Sequence, residues 1–277
     1  MGSLFVVSTP IGNLEDITFR AVRVLSEVQQ IAAEDTRTTR ILLRKYGINT
    51  RVLSYNEHNM RRRTPQLIST LKTGNIALVS EAGTPGVSDP GHELIAAAIK
   101  AGFPIVPIPG PSAVITALVA SGLPFRQFAF LGFLPRRTSE RRRALSTAVS
   151  ETRTVVLFEA PHRLRQTLED IRDTFAERQI AVSRELTKAF EEVFRGTADE
   201  ALAYFQEPRG EFTLVIEGAS SAQTPASDED VHRRLQEARG RGLTARDSVK
   251  AVALATGRPR REVYALWLEL TRAAANH

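Results

Sequence analysis

Several loops of this chain carry residue types that could bind a small ligand or move a proton. The longest, VSEAGTPGVSDPG at residues 79–91, gathers three glycines and two prolines with Ser80, Glu81, Thr84, Val87, Ser88 and Asp89. Glycine lets the backbone approach a ligand closely and take unusual φ, while proline stiffens the loop and removes a donor. The stretch reads as a ligand loop, although an ordinary strand-to-helix turn can have this composition; binding residues concentrate on loops held by a rigid scaffold. EDTR at 34–37 and YNEHN at 55–59 add Glu34, Asp35, Glu57 and His58. Such side chains can act as general acids or bases, and His58 also reads as a surface hydrogen-bonding residue. PGPSA at 109–113 places Ser112 and Ala113 where a helix opens, and free N–H groups there suit a carboxylate.

What is missing narrows the ligand. The chain has no GxGxxG after its first strand and no GxxxxGK[ST], so a standard dinucleotide or P-loop site is not expected. It has no HExxH, no cysteine and only five histidines, so no metal site is expected. Loops rich in Gly, Pro, Ser and Thr with a few carboxylates suit a neutral or cationic nucleoside-like ligand better than a polyphosphate.

The elements that must hold these loops alternate strand and helix. Strands are expected at 4–8, 30–33, 51–54, 76–79 and 103–108, with helices at 16–27, from 38 to about 46, after 63, at 92–101 and from 111. This order argues a largely parallel sheet, in which the loops after the strands emerge at one carboxyl edge. TPIGN (9–13), EDTR, SEAGTPGVSDPG and PGPSA therefore share a rim. SGLPFRQ at 121–127 reads as a linker, after which strands at 128–133, 154–158, 180–184, 192–195 and 211–217 imply a second, mixed sheet. SSAQTPASDED at 220–230 reads as another linker, followed by helices at 231–240, 245–255 and 260–270 around a turn at Gly257. The expected organisation is an α/β domain at 1–122, a second α/β domain at 123–220, and a small helix-turn-helix-like domain at 221–277.

Composition fits a globular chain, at 42% hydrophobic residues, with no membrane span or signal peptide expected, and so a cytoplasmic protein. Its net charge of +6 comes with 32 arginines against 5 lysines. Arginine forks onto phosphates and stacks on bases, which suits RNA; a GC-rich genome has the same effect on composition.

STPIGNLEDIT, AEDTR, LSYNEHN, SEAGTPGVSDPG, PIPGPSAV, FLGFLPR, FEAPHR and RELTK…EE…RG together resemble, in order and spacing, the ribosomal RNA small subunit methyltransferase I family. The resemblance runs from about Leu4 to Gly218, and the helical tail is similar to that family's C-terminal extension. It implies a tetrapyrrole-methylase-like fold of two α/β domains with S-adenosylmethionine in the cleft between them. The implied activity is 2′-O-methylation of a cytidine in the decoding region of 16S rRNA within the small ribosomal subunit, by a homodimer; a small-molecule methylase of the same fold is the alternative. The resemblance assigns one wall of the cofactor pocket to Thr9, Pro10 and Ile11. Gly83, Thr84, Pro85, Val87, Ser88 and Asp89 would hold the amino acid end and sulfonium, with Ser80 also among the cofactor-binding residues. Ser112 and Ala113 would meet the carboxylate or ribose, and Leu131, Phe158, Glu159, Phe212 and Thr213 the adenosine. Each apolar member could equally be core. The general base is sought among Glu34, Asp35, Glu57 and His58, with Glu159, His162 and Glu185 as further candidates. Arg37, Arg163, Arg184, Lys188 and Arg195 are expected to hold phosphates or carboxylates, and Arg61–Arg63, Arg136, Arg137 and Arg141–Arg143 to contact RNA.

Overall fold

The computed structural model describes residues 2–219, 227–241, 243–256, 258 and 260–275. Two compact units are present, one of Met1–Val149 with Arg153–Glu217, the other of Gly218–His277 with Ser150–Thr152. The first contains two sheets, which we call its two lobes.

In the first lobe, β1 (Leu4–Val7), β2 (Gln30–Ala33), β3 (Val52–Ser54), β4 (Ile76–Val79) and β5 (Ile105–Ile108) form an all-parallel sheet in the order β3-β2-β4-β1-β5. β2 and β4 are buried on both faces, which is why they read as unbroken apolar runs. Alternate residues of β4 serve opposite faces. Ala77 and Val79 join one core with Ala21, Val24 and Leu25 of α1 (Phe19–Glu27) and Leu43 of α2 (Thr36–Lys45). Ile76 and Leu78 join another with Leu67 and Leu71 of α3 (Met60–Leu71) and Leu94 and Ala98 of α4 (His92–Lys100). The helix expected from residue 16 instead starts at Phe19. The Thr18 hydroxyl accepts from the Ala21 N–H at 3.1 Å and caps it, while Leu14–Asp16 form a separate 3-10 turn.

The second lobe contains β6 (Phe128–Phe133), β7 (Thr154–Glu159), β8 (Ile180–Arg184), β9 (Glu192–Gly196) and β10 (Phe212–Ile216), in the order β6-β7-β10-β8-β9. β6 runs parallel to β7 and every other pair is antiparallel, so the sheet is mixed. One face packs α6 (Thr138–Ala148), α7 (Leu164–Phe175) and α8 (Ala198–Tyr204) through Leu145, Leu168 and Ala201. The short α8 has no counterpart in the sequence reading; its capping box, Thr197 with Glu200, is what starts it. The other face takes α5 (Ala113–Ser121), whose Val114, Ala117 and Leu118 pack with Val156, Ala181 and Val215. Thus α5 leaves the first sheet and is cored by the second.

The second unit has α9 (Asp228–Gly240), α10 (Ala245–Thr256) and α11 (Arg260–Ala275), sharing a core of Val231, Leu235, Val249, Val252, Val263, Leu266 and Trp267. α9 begins earlier than expected because Ser227 accepts from the Asp230 N–H and three acidic residues fill the first turn. Ser220–Ala226 of the expected linker, and the turn glycine Gly257, lie outside the described residues. No described helix is long and apolar enough to cross a membrane.

Candidate active site

The loop after β4 is pinned to the loop after β1. Thr9 N–H donates to the Gly83 carbonyl at 2.8 Å and Gly83 N–H to the Thr9 carbonyl at 3.0 Å, and the hydroxyls of Ser8 and Thr84 lie 2.8 Å apart. Gly83 has φ +75°, which glycine adopts without strain. Ser80 is buried beneath the loop, its hydroxyl within reach of the Ala82 and Gly83 carbonyls. Ser88 is left-handed at φ 67°, and a Cβ on Gly132 would come within 3.0 Å of its hydroxyl, so the strained residue abuts the bulged β6 of the other lobe. Non-glycine residues held in this region cluster at functional sites.

Beside these loops lies a cavity of about 360 Å³. Eleven of the expected cofactor residues line it: Ile11, Gly83, Thr84, Val87, Asp89, Ser112, Ala113, Phe158, Glu159, Phe212 and Thr213. Thr9, Pro10, Ser80, Pro85, Ser88 and Leu131 do not; Thr9, Pro10, Ser80 and Pro85 lie buried, and Leu131 is exposed on β6. Ala82, Val114, Phe133, Ala160, Pro161, Ser183, Leu186 and Glu211 complete the lining without having been singled out. Six of these sit inside motifs already quoted, SEAGTPGVSDPG, PIPGPSAV, FLGFLPR, FEAPHR and RELTK, whereas Ser183 and Glu211 carried no local signal. Ser112 caps α5, accepting from the Ile115 N–H, and Ala113 opens its first turn.

None of Glu34, Asp35, Glu57 and His58 lines the cavity, but Glu34 belongs to a carboxylate cluster with a residue that does. Its Oε2 accepts from the Glu81 N–H at 3.1 Å. Burial, then the charges of Glu81, Glu57 and Asp35, hold Glu34 above the usual carboxylate range against that hydrogen bond. Burial, with the charges of Glu34 and Glu81 adding to it and Ser80 opposing, pushes Asp89 up to about 7. Asp35 is different: hydrogen bonds from the Arg37 guanidinium and N–H pull it down to about 2, and its carboxylate caps α2. The polar loop 56–59 does have a structural purpose. Asn59 Oδ1 accepts from the Asn56 N–H at 3.0 Å, both amides donate to Ser54 Oγ, and Glu57 and His58 are left exposed.

Several expected anion-binding side chains are occupied internally. Arg163 Nη2 donates to the carbonyls of Leu134 and Pro135, tying the β6 and β7 loops together. Arg195 donates to the Ala120 and Ser121 carbonyls at the end of α5, and Lys188 bonds Glu185 and Glu211. Arg184 is held by the Arg209 carbonyl and Glu192, and Arg37 by Asp35. Arg141, expected on an RNA face, is 2% exposed and bonds Asp170 at 2.6 Å; Arg142 bonds the other carboxylate oxygen. Glu159 is also committed, accepting from the Thr167 hydroxyl at 2.5 Å and the Ala160 N–H at 2.8 Å.

Residues 3–202 match the family described as Tetrapyrrole (Corrin/Porphyrin) Methylases, and residues 225–271 match the RsmI C-terminal HTH domain. The structure of uroporphyrin-III C-methyl transferase from Thermus thermophilus complexed with S-adenyl homocysteine shares the fold at a TM-score of 0.58. It is 15% identical, and the match covers 78% of this chain and 97% of that one. Fold and family match together define a methylase of the tetrapyrrole methylase class. Ribosomal RNA small subunit methyltransferase I of Synechocystis sp. is 48% identical over 275 residues, 98% of this chain and 99% of that protein. The protein of the same name from Halalkalibacterium halodurans is 44% identical, over 96% of this chain and 94% of its own length. The chain belongs to the ribosomal RNA small subunit methyltransferase I family.

Proposed function

We propose that this chain uses S-adenosylmethionine to methylate the ribose 2′-oxygen of a cytidine in 16S rRNA, in the decoding region of the small ribosomal subunit. The observation that carries the reading is the composition of one cavity in a chain of this family: an ionisable Asp89, the open start of α5 at Ser112 and Ala113, and an apolar wall including Phe158, Leu186 and Phe212. These fit the parts of the cofactor in turn. A carboxylate suits its cationic centres, free helix N–H groups its carboxylate, and a flat apolar wall its adenine. Gly83 leaves its α-carbon bare beside Ile11 and Pro111, where the backbone can approach a ligand. When bound, the cofactor supplies an electrophilic methyl group on a sulfonium.

The chain's own residues then have to position, exclude water and take a proton. The Thr9–Gly83 pairing holds two first-lobe loops to each other, and the close approach of Ser88 to Gly132 sets them against the second lobe. Of the four candidate bases, Glu34 is the one the geometry favours. It touches the β4 loop through Glu81, and its raised pKa matches proton acceptance from a sugar hydroxyl better than the low pKa of Asp35. Glu57 biases Glu34 by its charge and His58 lies exposed at the rim.

RNA would be met by the exposed side chains of Arg61, Arg62, Arg136, Arg137 and Arg143. Homodimer formation is supported by Ile115 and Val119, one turn apart on α5 and 50% and 65% exposed. A cytoplasmic setting and domain boundaries near residues 122 and 220 complete the proposal. The test is incubation with labelled S-adenosylmethionine and small ribosomal subunits, followed by mapping of ribose methylation. Label on one cytidine 2′-oxygen is expected. No transfer to rRNA, with transfer to a tetrapyrrole instead, would establish the small-molecule alternative.

A further inference from the structure

Ser183 lies on β8 with its side chain fully buried, and its Oγ forms no hydrogen bond within the protein. Buried hydroxyls are nearly always bonded, so one left alone in a cavity wall points to a partner that the protein does not itself supply. Ser183 lines the cavity described above. It stands opposite Thr213 on β10, which stands opposite Phe158 on β7, so the three form one row across the sheet on the cavity face.

The charge around this row is already neutralised. Glu159 is ion-paired with Arg163 at 3.4 Å besides accepting from Thr167 and the Ala160 N–H, and Glu211 is ion-paired with Lys188. The free carboxylate of the cavity, Asp89, comes from the other lobe. Around Ser183 there remains a neutral hydroxyl framed by aromatic and aliphatic side chains. Such a surface selects a flat, uncharged heterocycle or sugar with a polar edge, because an ion would lose its hydration there without compensation.

We infer that Ser183 is a specificity-determining residue for the nucleoside end of the ligand, its Oγ hydrogen-bonding the adenosine portion of S-adenosylmethionine. The inference rests on the cofactor reading above. It explains why a serine follows the apolar, fully buried Ala181 and Val182 on this strand.

The experiment is calorimetric titration of S-adenosylhomocysteine and of 5′-methylthioadenosine, which lacks the amino acid end, into the wild-type protein, Ser183→Ala and Ser183→Cys. Thermal melts of the three ligand-free proteins accompany it. Both variants should bind both compounds about tenfold more weakly, equivalent to ~1.4 kcal/mol. The ligand-free variants should melt at or above the wild-type temperature, because the removed hydroxyl had no protein partner. Unchanged affinity in both variants would overturn the inference. So would a loss seen with S-adenosylhomocysteine but not with 5′-methylthioadenosine, which would move Ser183 to the other end of the ligand. A fall in the ligand-free melting temperature would give the hydroxyl a structural role instead. A wild-type protein that binds neither compound overturns the cofactor reading itself, and the Ser183 assignment with it.

Discussion

The two lobes of the first unit treat their ionisable side chains in opposite ways. In the second lobe charges are matched: Arg141 and Arg142 share Asp170, Glu159 pairs with Arg163, and Lys188 joins Glu185 to Glu211. In the first lobe Glu34, Glu81 and Asp89 are gathered at the carboxyl edge of a parallel sheet, and no ion pair is present on any of them among the described residues. Matched charges build a rigid wall, while like charges brought together lift one another's pKa and remain available to a cation or a proton. The difference separates groups that hold the cavity from groups that would act in it.

The largest effect that would break this contrast is on stability. Removing the carboxylate in Asp170→Ala leaves Arg141 buried without its counter-charge, which should cost about 3–5 kcal/mol in urea unfolding. Asp89→Asn should do the reverse. The folded-state pKa of Asp89 is raised to about 7, so its contribution is fully present below the ordinary carboxylate range and declines as pH rises through that value. The asparagine variant should therefore gain on the wild type between about pH 4 and pH 7 and stay ahead above it. If both substitutions destabilise at pH 8, the two lobes do not differ as described.

Gly83→Val comes next. A β-branched side chain at φ +75° forces the loop out of its pairing with Thr9, and affinity for S-adenosylmethionine should fall about a hundredfold or more while the circular dichroism is unchanged. Normal binding by this variant would remove the β4 loop from the cofactor site.

A smaller effect is expected from pH alone. If ionised Asp89 receives a cationic centre, affinity for S-adenosylmethionine should rise about tenfold between pH 6 and pH 8, as one group titrating near neutrality requires, and Asp89→Asn should abolish that rise. A flat profile in the wild type would assign the cation to another group. The smallest effect concerns RNA. Arg62→Ala and Arg136→Ala, one from each lobe, should each lower the slope of log affinity against log salt by roughly one. A change confined to one variant would show which lobe faces the RNA.

Much of this architecture was legible locally. The alternation of strands and helices set the parallel sheet, and short connections set the mixed one, because period and loop length are properties of neighbouring residues. Clustered glycine, proline and hydroxyl side chains at strand ends pointed to the loops at 79–91 and 109–113, while the individual cavity residues, Phe158, Glu159, Phe212 and Thr213 above all, came from the resemblance of ordered motifs. α8 was missed because seven residues carry little periodicity, although its TADE capping box at 197–200 was in view. Arg141 and Arg143 read alike in SERRRALS, yet one is buried and the other exposed, since α6 turns only one face to the core.

The loop 79–91 and the rim it shares with the loops at 9–13, 34–37 and 109–113 follow from residue type, spacing and order, and the resemblance of the ordered motifs to a known family implied a methylase. Which charges stay free, why Asp89 titrates near neutrality and why the Ser183 hydroxyl has no partner follow only from the folded chain. Those properties depend on burial and on segments far apart in sequence meeting one another, as Glu34 meets the β4 loop and Ser183 meets Thr213. No local pattern of residues encodes that proximity.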